Sequence, residues 1–259
     1  MYHSAVLPEL PPVPLDESHD QLRVERKPLS RGRVLAEVAL CSGFPTQLLI
    51  VAALTALGVR PGEEGELAPT FVFLLSAADT VLLLGLVCLF LRASDDRLRD
   101  VFLGARPIGP ELALGIACVP LTFMAVTIVQ VVLRLVLPSL HNVDVSPFAP
   151  LFESVWLIAG FVLLVLVAGG VREELQRAFL LHRFEQRLGG GRMGVIITST
   201  AFGLGHTVQG WDAAIITGML GALWGVMYLQ RRSVVATVTN HALFNLAQIV
   251  LGYVTLVRA

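Results

Sequence analysis

The sequence is poor in charge, because only 15% of its 259 residues are Asp, Glu, Lys or Arg. Soluble globular domains carry about 25% charged residues. Hydrophobic residues make up 55% of the chain, and the mean hydropathy is +0.73. This balance excludes an ordinary soluble domain, and the missing charge reflects long apolar stretches.

Cysteine is also scarce: three residues lie in separate apolar runs, namely Cys41, Cys88 and Cys118. Their spacing matches neither a disulfide framework nor a cysteine metal site, so we expect buried thiols. The net charge of -1 supplies no basic surface, and we therefore expect no nucleic-acid partner. The N-terminus lacks the basic-then-apolar pattern of a cleavable signal peptide.

Seven apolar stretches are present, each near the roughly 20 residues that a helix needs to cross the hydrocarbon core. They are 34–58, 69–92, 110–137, 153–182, 193–209, 211–230 and 233–257. The residues before them, 1–33, are rich in proline and charge and predict a flexible, disordered tail. We therefore expect an all-α fold: a polytopic membrane bundle of about seven transmembrane helices over 34–259.

Arginine alternates between the two sides of these stretches. The N-terminal tail and the second, fourth and sixth loops carry arginines, whereas the intervening loops are nearly bare. Under the positive-inside rule, this pattern predicts a cytoplasmic N-terminus and an external C-terminus. Because the chain is arginine-rich and lacks organelle signals, we interpret it as an integral protein of a bacterial cell membrane.

Several polar residues interrupt the apolar stretches: Glu173, Glu174, Arg177, His206, His241 and Asn245. Ionisable groups at membrane depth are costly and mark functional sites by default. Counting from the flanking arginines at about 1.5 Å per residue places Glu173 roughly 15 Å deep and His206 about 21 Å deep. The same rise places His241 and Asn245 about 13 Å and 20 Å deep. Three helices thus bring polar groups to one band, which predicts a single site.

Helical spacing refines this site. His241 and Asn245 are four residues apart and share a helix face, as do Phe202 and His206. One of the two adjacent glutamates could pair with Arg177 while the other points into a cavity.

The three motifs, in this order on separate helices, resemble the CPBP family of CAAX proteases and bacteriocin-processing intramembrane endopeptidases. The motifs are Glu173-Glu174-Leu175-Gln176-Arg177, Phe202-Gly203-Leu204-Gly205-His206 and Asn240-His241-Ala242-Leu243-Phe244-Asn245. The resemblance covers a catalytic core at about 153–257. It implies catalytic roles for Glu173, Glu174, His206, His241 and Asn245, with Arg177 and Phe202 in support.

The first motif departs from the family pattern, which has three residues between the glutamates and the arginine instead of two. If the glutamates set the register, Glu173 is the catalytic equivalent and Ala178 takes the place of the arginine. If Arg177 sets the register, Arg172 replaces the catalytic glutamate. A third alternative keeps both glutamates at the site through a local adjustment of the helix. The sequence leaves the choice between Glu173 and Glu174 as the base open.

The implied reaction is peptide hydrolysis by water that a glutamate activates. Asn245, with His206 or His241, would stabilise the developing oxyanion. Glu173, His206 and His241 also form a three-ligand set with an open position, which suits Zn²⁺ or another divalent metal. The expected partners are the lipid bilayer and a membrane-associated peptide or protein substrate. The alternative is an inactive membrane scaffold or immunity protein that retains a degenerate protease site.

Overall fold

A computed structural model describes residues 29–63 and 65–258 of the chain. Every regular element within these residues is helical, which confirms the all-α prediction for this part of the chain. The α-helices are α1 (Arg31–Leu40), α2 (Phe44–Ala56), α3 (Pro69–Arg92), α4 (Leu98–Phe102), α5 (Ile108–Ala117), α6 (Val119–Val136), α7 (Val155–Leu164), α8 (Glu173–Arg187), α9 (Gly190–Leu204), α10 (Trp211–Arg231) and α11 (Val235–Arg258).

Four helical stretches are long and apolar enough to cross a membrane: Pro69–Arg92, Ile108–Val136, Val155–Arg187 and Trp211–Arg231. Helices α1 and α2 form a fifth candidate if this pair, bent by 42°, counts as one span. These stretches correspond to five of the predicted spans. The structure therefore supports an all-helical membrane protein with four or five candidate spans and does not confirm a count of seven.

The other two predicted spans correspond to α9 and α11, which are not among the candidate spans of the described residues. Helix α9 has 15 residues and ends at Leu204, so it rises only about 22 Å at 1.5 Å per residue. Helix α11 has 24 residues but carries Asn240, His241 and Asn245 among its apolar side chains. The polar residues that predict the site also make α11 less apolar than a lipid-facing span.

The predicted tail, 1–33, falls mainly outside the described residues, which begin at 29. Helix α1 begins at Arg31, three residues before the predicted first stretch, and Ser30 caps it by accepting a hydrogen bond from the backbone N–H of Arg33. This capping bond satisfies one of the unpaired N–H groups that begin any helix. It sets the start of α1.

Helix α8 lies at the centre of the bundle, where α1, α3, α4, α9 and α10 contact it. Its buried side chains include Leu181, which packs with Val195 and Tyr228 in one core cluster. Helices α9 and α10 approach closely: a Cβ on Gly203 would lie 2.6 Å from the backbone oxygen of Ala214. Small residues at such contacts permit close packing of membrane helices.

A π-helical segment, Val165–Arg172, joins α7 to α8 and ends directly before Glu173. Its hydrogen bonds reach back five residues instead of four, and such segments are frequent at functional sites. The segment packs against α11 through its glycines, because a Cβ on Gly170 would lie 2.8 Å from the Cβ of Ala242. This segment is a local helix adjustment of the kind that would keep both Glu173 and Glu174 at the site, which was the third alternative for the first motif.

At the far end of α8, Arg183 ties three parts of the chain together. Its guanidinium donates to Glu37 in α1 and to Asp96 between α3 and α4, each at 2.6 Å. It also donates to Ser94 and to the backbone oxygen of Phe90. This set of contacts, the Arg183 cluster, anchors α8 at the end opposite the glutamates.

Candidate active site

Glu174 is fully enclosed, with 1% of its surface exposed. Its Oε1 accepts hydrogen bonds from Nη1 of Arg177 and, at 2.9 Å, from Nδ1 of His241. The second oxygen, Oε2, is buried and has no hydrogen-bond partner in the described residues. Because Arg177 is also buried, the pair balances two charges inside the bundle.

Glu173 is in a different environment, since 17% of its side chain is exposed. Its closest charged contacts in the described part of the chain are both at 3.9 Å, one from Oε1 to Nη1 of Arg172 and one from Oε2 to Nε2 of His241. Both distances exceed a hydrogen bond. Arg177 therefore holds Glu174, three residues before it, and not Glu173 at the spacing of four residues, so Glu173 remains available.

His241 is held on several sides. Its ring stacks on Trp224, with centroids 3.7 Å apart and an interplanar angle of 16°. Its Nδ1 faces the Glu174 carboxylate, so Nδ1 carries the hydrogen and the neutral ring has a lone pair on Nε2, the atom nearer Glu173. The two glutamates thus contact opposite sides of one imidazole.

His206 lies just beyond the end of α9. Its Nδ1 donates to the backbone oxygen of Phe202 at 2.8 Å, which leaves Nε2 as the acceptor of the neutral ring. The ring of Phe202 lies edge-on to this imidazole at 4.7 Å and also receives the guanidinium of Arg177 at 4.7 Å. Phe202 therefore links the arginine of the first motif to the histidine of the second.

Asn245 is half-buried and lies one turn beyond His241 in α11. Its Nδ2 would be 2.9 Å from a Cβ on Gly169, in the π-helical segment. Glycine at this position leaves room for the amide. The segment that orients the glutamates therefore also forms the surroundings of Asn245.

A cavity of about 140 Å³ opens beside these residues. Its lining includes Glu173, Arg177, Phe202 and His206. The remaining wall is largely apolar and comes from the α1–α2 junction, α8 and α9, with residues such as Phe44, Leu180 and Ile197. Glu174, His241 and Asn245 are not among the lining residues, so they lie behind the wall that Glu173 and Arg177 form.

Glu173, His206 and His241 are the predicted metal ligands. Within the described ranges, no three His, Cys, Asp or Glu side chains are grouped so that they could hold a metal ion. Nδ1 of His241 is bonded to Glu174, which leaves Nε2 as its possible ligand atom, and His206 lies beyond the end of α9 on the cavity lining. Glu173, His206 and His241 are therefore not grouped as a metal centre in the described residues. The metal remains a prediction, and no step of the chemistry below uses it.

Two groups of residues contribute to the site without belonging to the sequence motifs. Trp224 stacks on His241, and its Nε1 donates to Asn240 at 2.8 Å. Asp79 in α3 binds Arg172, with 2.5 Å between Oδ2 and Nη2. The isolated charge of Asp79 in an apolar stretch signalled that it has a partner, whereas the tryptophan gave no signal because it reads as an ordinary core residue.

The comparisons agree with the motifs. Residues 154–247 match the family model of the Rce1-like type II CAAX prenyl endopeptidases. The match covers less than half of the chain but contains all three motifs. Neither the curated proteins nor the solved structures gave a match. Residues 154–247 are therefore similar to the CAAX-protease family that the three motifs predicted.

Proposed function

We propose that the protein is an intramembrane endopeptidase in which Glu173 activates the water that hydrolyses a peptide bond. The observation that carries the proposal is the position of Glu173. It lines the cavity, it lies 3.9 Å from Nε2 of His241, and its nearest arginine contact is also at 3.9 Å. A separation of this size between polar atoms suits a bridging water.

Glu174 is the weaker candidate for the base. Its Oε1 accepts from both Arg177 and His241, and the side chain is buried behind the cavity wall. A base must reach the proton that it removes, directly or through one water. We assign Glu174 the role of orienting Arg177 and the imidazole of His241.

The remaining groups divide the chemistry between them. Glu173 takes a proton as the water oxygen bonds to the scissile carbonyl carbon, and later delivers it to the leaving amine. Nε2 of His206 is an acceptor on the same cavity and orients the water. The Asn245 amide carries its hydrogens in every protonation state and is our proposed donor for the oxyanion. Because Asn245 does not line the cavity, this role requires the scissile carbonyl to lie past Glu173, toward Gly169.

The substrate follows from the setting. The first motif lies in Val155–Arg187, one of the stretches apolar enough to span a membrane, and the cavity wall is mostly apolar. We propose a membrane-associated peptide or protein as the substrate, in a bacterial cell membrane with the N-terminus of the enzyme in the cytoplasm.

The test uses the full chain in proteoliposomes with two sets of quenched fluorescent peptides. One set ends in prenylated CAAX sequences and the other contains unmodified apolar segments. Glu173→Gln should lower kcat by about 10²-fold or more, the range typical for loss of a general base. The matched control is Glu153→Gln, which changes an exposed glutamate far from the cavity.

Cleavage at the wild-type rate by Glu173→Gln would overturn the assignment of the base. If the wild type cleaves neither peptide set, the result supports the alternative of an inactive membrane scaffold or immunity protein. Preference for one set identifies the substrate class.

A further inference from the structure

Arg172 places an additional positive charge beside the base. It directly precedes Glu173, and in one alignment register it occupies the position of the family's catalytic glutamate. Its Nη1 lies 3.9 Å from Oε1 of Glu173. A guanidinium that closed this gap would bind the carboxylate strongly, because charge-assisted hydrogen bonds are about twice as strong as neutral ones.

Asp79 occupies this guanidinium instead. The Asp79 side chain is fully buried, and its Oδ2 lies 2.5 Å from Nη2 of Arg172. Arg172 donates from Nη1 to Oε1 of Gln176 at 3.1 Å, so each of its terminal nitrogens has a partner, whereas its buried Nε has none in the described residues. These two partners draw the guanidinium away from Glu173.

The surroundings of Asp79 hold it in place. Its Oδ1 accepts from Oγ1 of Thr46 at 2.6 Å, and Gln47 reaches Oδ2 at 3.4 Å. Gln176 donates to the backbone oxygen of Cys41 at 2.8 Å, which fixes the second partner of Arg172. Helices α2, α3 and α8 therefore contribute to one network around Arg172.

We propose that Asp79 is a positioning residue that holds Arg172 away from Glu173 and so keeps the Glu173 carboxylate free for water. The inference rests on the proposed function of Glu173. Asp79 does not itself line the cavity, and it acts on Glu173 through Arg172. Without Asp79, Arg172 would pair with Glu173 in the way that Arg177 pairs with Glu174.

The first experiment measures kcat and KM in the peptide assay. Asp79→Asn should lower kcat by about tenfold or more, because Arg172 captures the base. KM should change less, since of the cavity lining mainly Arg172 moves. Adding Arg172→Gln should restore most of kcat, since the guanidinium that captured Glu173 is gone. The matched control is Glu111→Gln, which breaks another buried carboxylate–arginine pair, with Arg231, outside the site.

Wild-type kcat in Asp79→Asn would overturn the proposal, and so would a double variant as slow as Glu173→Gln. Should Asp79→Asn fail to fold, the double variant decides the question, because it removes both buried charges. A kcat near that of the wild type is then the expected result.

The second experiment needs no activity and therefore separates this inference from the proposed function. The midpoint of thermal unfolding is measured with and without Glu173→Gln in two backgrounds, the wild type and Asp79→Asn. Both backgrounds keep Arg172. If Arg172 turns to Glu173 when Asp79 is lost, Glu173→Gln lowers the midpoint more in the second background than in the first. Equal shifts in both backgrounds contradict the inference, whereas absent cleavage by the wild type contradicts only the proposed function.

Discussion

Trp224 in α10 stacks on His241 in α11, with ring centroids 3.7 Å apart and nearly parallel planes. The tryptophan is itself fixed, because its Nε1 donates to Oδ1 of Asn240 at 2.8 Å. The same oxygen accepts from Thr122 in α6 at 3.0 Å. Three helices thus determine the orientation of one imidazole, which places its Nε2 toward Glu173.

Truncating Trp224 should lower kcat stepwise, because each variant loses more of the contacts that orient His241. Trp224→Phe keeps an aromatic face but loses the bond to Asn240, whereas Trp224→Leu loses the stacking as well. We expect a larger fall in kcat for the leucine variant, and a loss of stability below the about 3–5 kcal/mol that replacing a buried tryptophan by alanine costs. Kinetics and thermal unfolding in detergent measure both effects.

The control for this series is Trp156→Leu, because the side chain of Trp156 is 82% exposed. It should leave kcat unchanged. Equal kcat values for the phenylalanine and leucine variants would show that stacking does not orient His241.

Removing one charge of the buried pair of Glu174 and Arg177 should destabilise the fold more than removing both charges. Glu174→Gln leaves Arg177 without its counter-charge and should cost about 3–5 kcal/mol of stability. Glu174→Leu combined with Arg177→Leu removes both charges and should cost less than the single change. Unfolding midpoints of the two variants test this, and a double variant less stable than the single one would contradict it.

Some of these relationships could be predicted from the sequence and others could not. The helical spacing predicted that one glutamate pairs with Arg177, and the structure shows that it is Glu174. Residues three and four positions apart both meet on one face of a helix, so the spacing alone does not choose between the two glutamates. Asp79 and Arg172 are 93 residues apart, so their contact depends on tertiary packing that no local pattern encodes.

The two glycines of the π-helical segment should respond differently to alanine. At Gly170, the new Cβ would meet the Cβ of Ala242 at 2.8 Å, so helix packing must shift and stability should fall by about 1–3 kcal/mol. At Gly169, the new Cβ would meet the flexible amide of Asn245 at 2.9 Å. Gly169→Ala should therefore displace Asn245 and lower kcat more than it lowers the unfolding midpoint.

Measuring kcat and the unfolding midpoint of both variants gives the comparison. Gly85→Ala is the matched control, because a Cβ there meets nothing within 4 Å. If Gly169→Ala is destabilised without any change in kcat per folded molecule, Asn245 does not act in the reaction.

The Arg183 cluster should make stability depend on pH through Asp96, which lies between α3 and α4. Burial acts to raise the pKa of Asp96, but hydrogen bonds from His182 and Arg183 outweigh it and lower the pKa from 3.8 to about 2. Because the folded pKa is depressed, the ionised carboxylate stabilises the fold fully above pH 4. This contribution disappears as the pH falls from about 4 to about 2.

Asp96→Asn should therefore be less stable than the wild type at neutral pH, and the difference should shrink toward zero near pH 2. Unfolding midpoints measured across this range in an acid-tolerant detergent provide the test. Asp100→Asn is the control, because this exposed carboxylate lies outside the Arg183 cluster. A stability difference between wild type and Asp96→Asn that stays constant from pH 7 to pH 2 would show that the bond to Arg183 does not depend on ionisation of Asp96.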